Sequence, residues 1–115
     1  MSDQRFIIEM GMGNDLYGAD MTKAAARAIE DALRHSSLPL FEVRGISHDE
    51  MRVEVTVAVP EPEAVDTEAL KAKLPRGRVS VRAVAGGLLV RSPANKEGIV
   101  VATAAVEAYL PPQTV

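Results

Sequence analysis

The sequence has no cysteine and no tryptophan, and only two tyrosines and two phenylalanines in 115 residues. Without thiols it can hold no disulfide, no thiolate zinc site and no cysteine nucleophile, a usage that suits a reducing cytoplasm. So few aromatic rings leave no stacking platform for single-stranded nucleic acid. Thirteen basic residues against 16 acidic ones give a net charge of −3, which carries no basic footprint for a nucleic-acid partner. No apolar run reaches the ~20 residues that a membrane-spanning helix needs. Met1-Ser2-Asp3-Gln4-Arg5 also lacks the basic-then-apolar order of a signal peptide. The expectation is a cytoplasmic protein with neither a nucleic-acid nor a membrane partner.

What is present is an ordinary globular balance, 47% hydrophobic and 25% charged. The core must be built from Val, Ala, Leu, Ile and Met. Small side chains bury little area each, so a chain of this size gains from further burial between subunits. We expect one α+β domain over residues 1–115 and a homo-oligomer.

Arg5–Met10 reads as a first strand. From Met21 to Arg34, apolar Met21, Ala25, Ala28, Ile29, Ala32 and Leu33 recur at helical spacing, opposite Lys23, Arg27, Glu30, Asp31 and Arg34. Asp20 or Thr22 can cap that helix, Glu30 stands one turn before Arg34 as a candidate ion pair, and Ser36-Ser37 with Pro39 marks the stop. Leu40–Ile46 and Met51–Val59 alternate as two further strands, close enough for an antiparallel hairpin. Asp66 or Thr67 opens a short helix running through Leu74. Val79–Ala85 alternates again, Gly86-Gly87 suggests a bulge or a close backbone approach, and Ile99–Tyr109 reads as a last strand. The string β-α-β-β-α-β most simply makes a ferredoxin-like antiparallel sheet with helices on one face, its extra C-terminal strand extending an edge. The alternative is a trimeric α+β assembly of the chorismate-mutase-like kind, with protomer edges joined around an axis.

Chemistry concentrates between the first strand and the first helix, in Gly11-Met12-Gly13-Asn14-Asp15-Leu16-Tyr17-Gly18-Ala19-Asp20. A dinucleotide fingerprint needs glycine where Leu16 stands, and a phosphate-binding loop needs Gly-Lys-Ser/Thr where Thr22-Lys23 runs in reverse order. Neither motif holds. A glycine-rich turn before a helix N-terminus favours an anion, whereas Asp15 and Asp20 repel one. Three readings fit: the carboxylates cap loop and helix amides, they hold a divalent cation, or they accept hydrogen bonds from a small-molecule ligand.

Lys23, in the first turn, reads either as the partner of Asp20 or Asp15 or as a general acid/base facing a pocket. Tyr17 is a packing residue or a hydroxyl donor to ligand. His35 fits a helix-end role, and His48 a solvated turn. As a site, the segment takes Asp15 and Lys23 as catalytic candidates, with Gly11, Gly13, Tyr17, Gly18, Asp20 and Thr22 as ligand-binding candidates.

The loop resembles that of a family of conserved hypothetical proteins known by a Listeria locus label and marked by Gly-x-Gly-x-Asp-x-His-Gly. The matching residues are Gly11, Gly13, Asp15 and Gly18, with Tyr17 where the family has His, and Asp20-Met21-Thr22-Lys23-Ala24-Ala25-Ala26-Arg27-Ala28 follows in the same vein. The resemblance implies a site and no reaction. Tyrosine replaces histidine as a hydrogen-bond donor but seldom as a base near neutral pH, because its ordinary pKa is about 10. The expected function is a small-molecule-binding protein or enzyme with its site at Gly11–Lys23, completed by a neighbouring subunit. The alternative is a non-catalytic oligomeric module in which the loop only caps the helix.

Overall fold

The computed structural model describes residues 4–34, 50–74 and 77–111. They form β1 (Gln4–Asp15), α1 (Met21–Arg34), β2 (Arg52–Val59), a 3-10 turn (Pro62–Ala64), α2 (Thr67–Lys71), β3 (Arg78–Ala85), β4 (Leu88–Ser92) and β5 (Asn95–Leu110). The expected strand at Leu40–Ile46, its hairpin, and both histidines lie outside the described residues. No helix among them is long and apolar enough to cross a membrane.

The five strands make one mixed sheet in the order β1-β5-β2-β3, with β4 also paired to β5. Two expectations are corrected here. The last strand is not an added edge: β5 lies between β1 and β2, antiparallel to both. Its buried side, Val100, Ala102, Ala104, Val106, Ala108 and Leu110, is continuous, and a strand that apolar is best protected with neighbours on both edges. Nor is the sheet wholly antiparallel, because β2 and β3 run parallel. Residues 60–77 supply the crossover that a parallel pair requires, with α2 inside it. Asp66 starts α2 by accepting the N–H of Ala69 at 3.1 Å.

β2 keeps the alternation its sequence predicts: Val53, Val55, Val57 and Val59 are buried, and the residues between them face the other way. α1 lies over the buried side of the sheet through Met21, Ala24, Ala25, Ala28, Ile29 and Ala32. The expected Glu30–Arg34 pair is replaced by Arg34–Asp31 at 3.2 Å and Lys73–Glu30 at 3.1 Å. The second of these ties α1 to the end of α2. Gly86 and Gly87 carry the chain past the end of β2: the Gly86 N–H donates to Val59 at 2.9 Å, and Gly87 (φ 67°) passes the carbonyls of Val101 and Ala58 with no room for a Cβ. β4 can then pair with β5 beyond β2.

The other side of the sheet carries Ile8, Met10 and Met12 from β1, Val84 from β3, and Leu88 and Val90 from β4, all exposed. Among the described residues no element packs over it.

Candidate functional site

β1 continues through the glycines to Asp15, so Gly11 and Gly13 are strand residues opposite Ala104 and Ala102. Both face α1. A Cβ at Gly11 would strike the Ala28 carbonyl and the Ala32 amide, and one at Gly13 would lie 2.6 Å from the Arg27 carbonyl carbon and Cβ. Their small size lets an alanine-faced helix lie against strand backbone. The side of both glycines that lacks a Cβ is filled by α1, and the backbone of Gly11 also lines a concavity on the opposite side of the sheet.

Asp15 ends β1 with its side chain turned inward, 4% exposed. Its Oδ2 accepts the Asp20 N–H at 2.9 Å, and its Oδ1 faces the Arg27 guanidinium at 3.5 Å. The same guanidinium nitrogen donates to the Asn14 carbonyl at 2.7 Å. Between them the chain reverses through Gly18 (φ 94°) and Ala19 (φ 49°), which brings the Asp20 amide back over Asp15. Asn95 steadies the turn from β5 by donating to the Leu16 carbonyl at 2.7 Å.

Asp20 caps α1 by accepting the Lys23 N–H at 3.0 Å, which satisfies one of the free amides of the first turn. It meets the backbone of Lys23, and no ion pair joins the Lys23 ammonium to Asp15 or Asp20. The Thr22 hydroxyl donates to the Ala64 carbonyl at 3.4 Å and accepts the Asp66 N–H at 2.9 Å, tying α1 to the start of α2. The chemically capable groups Asp15, Asp20 and Thr22 are therefore engaged by their own chain. Tyr17, 77% exposed, and Lys23 remain toward solvent. Among the described residues no cluster of three metal-ligating side chains forms.

Two features escaped sequence reasoning. Arg27 reads as an ordinary polar-face residue, yet it is the cation that meets Asp15. Its signal was its place two turns after Asp20 on the flank nearest β1. The second feature is a shallow concavity of about 480 Å³ on the open side of the sheet, lined by Met10, Met12, Thr56, Ala58, Thr103 and Ala105. It reaches the β1 edge, where Asp31 accepts the Met12 N–H at 2.9 Å. The hint was the alternation of Met10 and Met12 opposite a strand rich in Ala and Thr.

The far end of the same face is polar. Tyr109 donates to Glu107 at 2.8 Å, Arg5 reaches the same carboxylate oxygen at 3.2 Å, and Arg52 pairs with Glu54 while lying 4.2 Å over the Tyr109 ring. The Tyr109 hydrogen bond, helped by Arg5, holds the Glu107 carboxyl below its ordinary pKa. The same bond pushes the Tyr109 phenol up.

No curated protein matches the chain. Among solved structures, it is similar to a crystal structure described as an FtsZ-like protein of unknown function from Nostoc punctiforme PCC 73102. The two are 42% identical with a TM-score of 0.84, over 97% of this chain and 99% of the other. Residues 5–108 match the conserved hypothetical protein family Lin0512_fam, and the chain belongs to that family.

Proposed function

We propose that this protein is a self-associating, non-catalytic module in which the Gly11–Lys23 segment is a structural joint. One observation carries the reading. Asp15, Asp20 and Thr22 each bond to their own chain, through neighbouring amides, a carbonyl and Arg27, while a sheet face bearing Ile8, Met10 and Met12 is exposed. Exposed apolar surface of that extent is characteristic of an interaction site. Joining at the face is favoured over edges joined around a trimer axis, because Asp31 already occupies the Met12 amide on the free edge of β1. The solved relative is itself described as being of unknown function, so no reaction is borrowed from it.

Light scattering on the purified protein tests self-association directly. A thermal-shift screen of wild type and Asp15→Asn against divalent metals and metabolite sets tests the joint. The expected outcome is a multimer, with a marked fall in melting temperature for Asp15→Asn and no stabilising compound. A compound that stabilises wild type and loses its effect in a Lys23→Ala variant of normal melting temperature overturns the reading.

A second reading rests on Tyr17 and Lys23, whose side chains stay exposed on the turn. A small anionic ligand held there, with a neighbouring subunit closing the site, is the enzyme or binding-protein alternative, and the same screen decides it.

A further inference from the structure

We infer that Met10 and Met12 form a peroxide-reactive pair, and that their conversion to sulfoxides releases associated copies of this chain. The release deepens the self-association reading and rests on it; the modification site does not.

Sulfur chemistry in this chain belongs to methionine alone. With no cysteine and no tryptophan, its five methionines are the side chains most open to a hydroperoxide. The fold sorts them. Met21 and Met51 are 4% and 2% exposed, within the core beneath α1. Met10 and Met12 are 67% and 59% exposed on the open side of β1. An oxidant in solution meets the second pair and is kept from the first.

The reactive pair is also placed together. Two residues apart on one strand, they share a face with about 6.6 Å between their Cα atoms, and both line the concavity with Ala58, Thr103 and Ala105. The Met12 N–H turns away from β5 to Asp31. Met12 and Thr103 are therefore a non-hydrogen-bonded pair, the arrangement in which cross-strand side chains stand nearest. Met10 faces Ala105 in the same way.

The step balances with hydrogen peroxide as the only co-reactant. A sulfur lone pair attacks one peroxide oxygen, the S–O bond forms and the O–O bond breaks. The transferred oxygen gives its proton to the departing one, which leaves as water. Each sulfur loses two electrons and each peroxide gains two. An external dithiol reverses the change, becoming a disulfide while the oxygen leaves as water.

Each sulfoxide puts a polar acceptor where an apolar thioether stood. Directly across on β5, Thr103 offers one hydroxyl and Ala105 offers no donor, so two new oxygens share a single neighbouring donor. On the free protomer water satisfies both. Beneath another copy, an oxygen left without a donor is strongly destabilising. Oxidation thus acts against the associated state and leaves the protomer fold intact.

The test titrates hydrogen peroxide into the purified protein. Peptide mass spectrometry places each oxygen, sedimentation reads the dissociation constant, and circular dichroism follows the fold. Met10 and Met12 should each gain one oxygen before Met21 or Met51 gains any. The dissociation constant should then rise about tenfold or more, with circular dichroism unchanged, and fall back after treatment with a methionine sulfoxide reductase and dithiothreitol. The Met10→Leu/Met12→Leu double variant, compared with itself before and after peroxide, should show no rise. Oxygen appearing at Met21 or Met51 as early as at Met10 and Met12 overturns the site. Selective oxidation that leaves the dissociation constant unchanged, or a double variant that dissociates as far as wild type, overturns the release. A wild type already monomeric before peroxide overturns the self-association reading and the release with it, while the placement of oxygen still decides the site.

Discussion

Asp15 and Asp20 are joined in series: the first accepts the backbone N–H of the second at 2.9 Å, and the second passes its own carboxylate on to the Lys23 N–H at 3.0 Å. Two acidic residues that look in sequence like a shared binding pair are successive links of one turn. Asp15 is the buried link, so its removal strands the Asp20 amide and leaves the Arg27 guanidinium only the Asn14 carbonyl and solvent. Asp15→Ala is expected to cost about 2–3 kcal/mol and Asp20→Ala about 1 kcal/mol, both read by urea denaturation. Because the links are consecutive, the double variant should be less destabilised than the sum.

The glycines separate by mechanism. Gly13→Ala drives a Cβ into helix backbone, which cannot swing aside as a side-chain tip can, and should cost about 3 kcal/mol or more. At Gly18 the nearest atom to an added Cβ is Asp15 Oδ2, an ordinary contact at 3.8 Å, so only the left-handed φ of 94° opposes substitution. Gly18→Ala should cost about 1–2 kcal/mol. Melting curves that rank Gly18→Ala as the worse variant contradict the packing account.

A pH dependence follows from Tyr109 and Glu107. The Glu107 pKa lies below its unfolded value, so the stability it contributes is complete above that value and fades as pH falls through the folded one. Tyr109 is the reverse case: its raised phenol contributes below the unfolded value and loses that contribution as pH climbs through the folded one. Tyr109→Phe removes the hydrogen bond from both. NMR titration of the Glu107 carboxyl should show its pKa moving up, and the acid limb of the melting-temperature profile should flatten.

Tyr17 and Lys23 are the controls. Neither side chain has a hydrogen-bond or ion-pair role in the turn, so Tyr17→Phe and Lys23→Ala should each stay within about 0.5 kcal/mol of wild type. A larger loss in denaturant titrations shows a structural role that the exposed positions do not explain.

The helix over Met21–Arg34 and the alternation of Val53 to Val59 were legible because each pattern is local and long. The end of β1 was not. Reading Gly11 and Gly13 as loop rests on their low strand propensity, but here they are a small-residue track that Ala28 and Ala32 of α1 complement. Positions 11, 13 and 15 do share one face at strand period, and that spacing held the clue. Asp15 stands out in the sequence but its partner does not, since Arg27 reaches it only after the helix has docked. The place of β5 inside the sheet was invisible because it depends on pairings across most of the chain.

Those pairings have a temporal consequence. Gln4 bonds opposite Leu110 and Asp15 opposite Val100, while β2 and β4 also wait on β5. A growing chain therefore presents Ile8, Met10 and Met12 without β5 beside them until that strand has left the ribosome. Folding gated by contacts this distant is slow, and the nascent protein passes its most adhesive moments before it has anything of its own to adhere to.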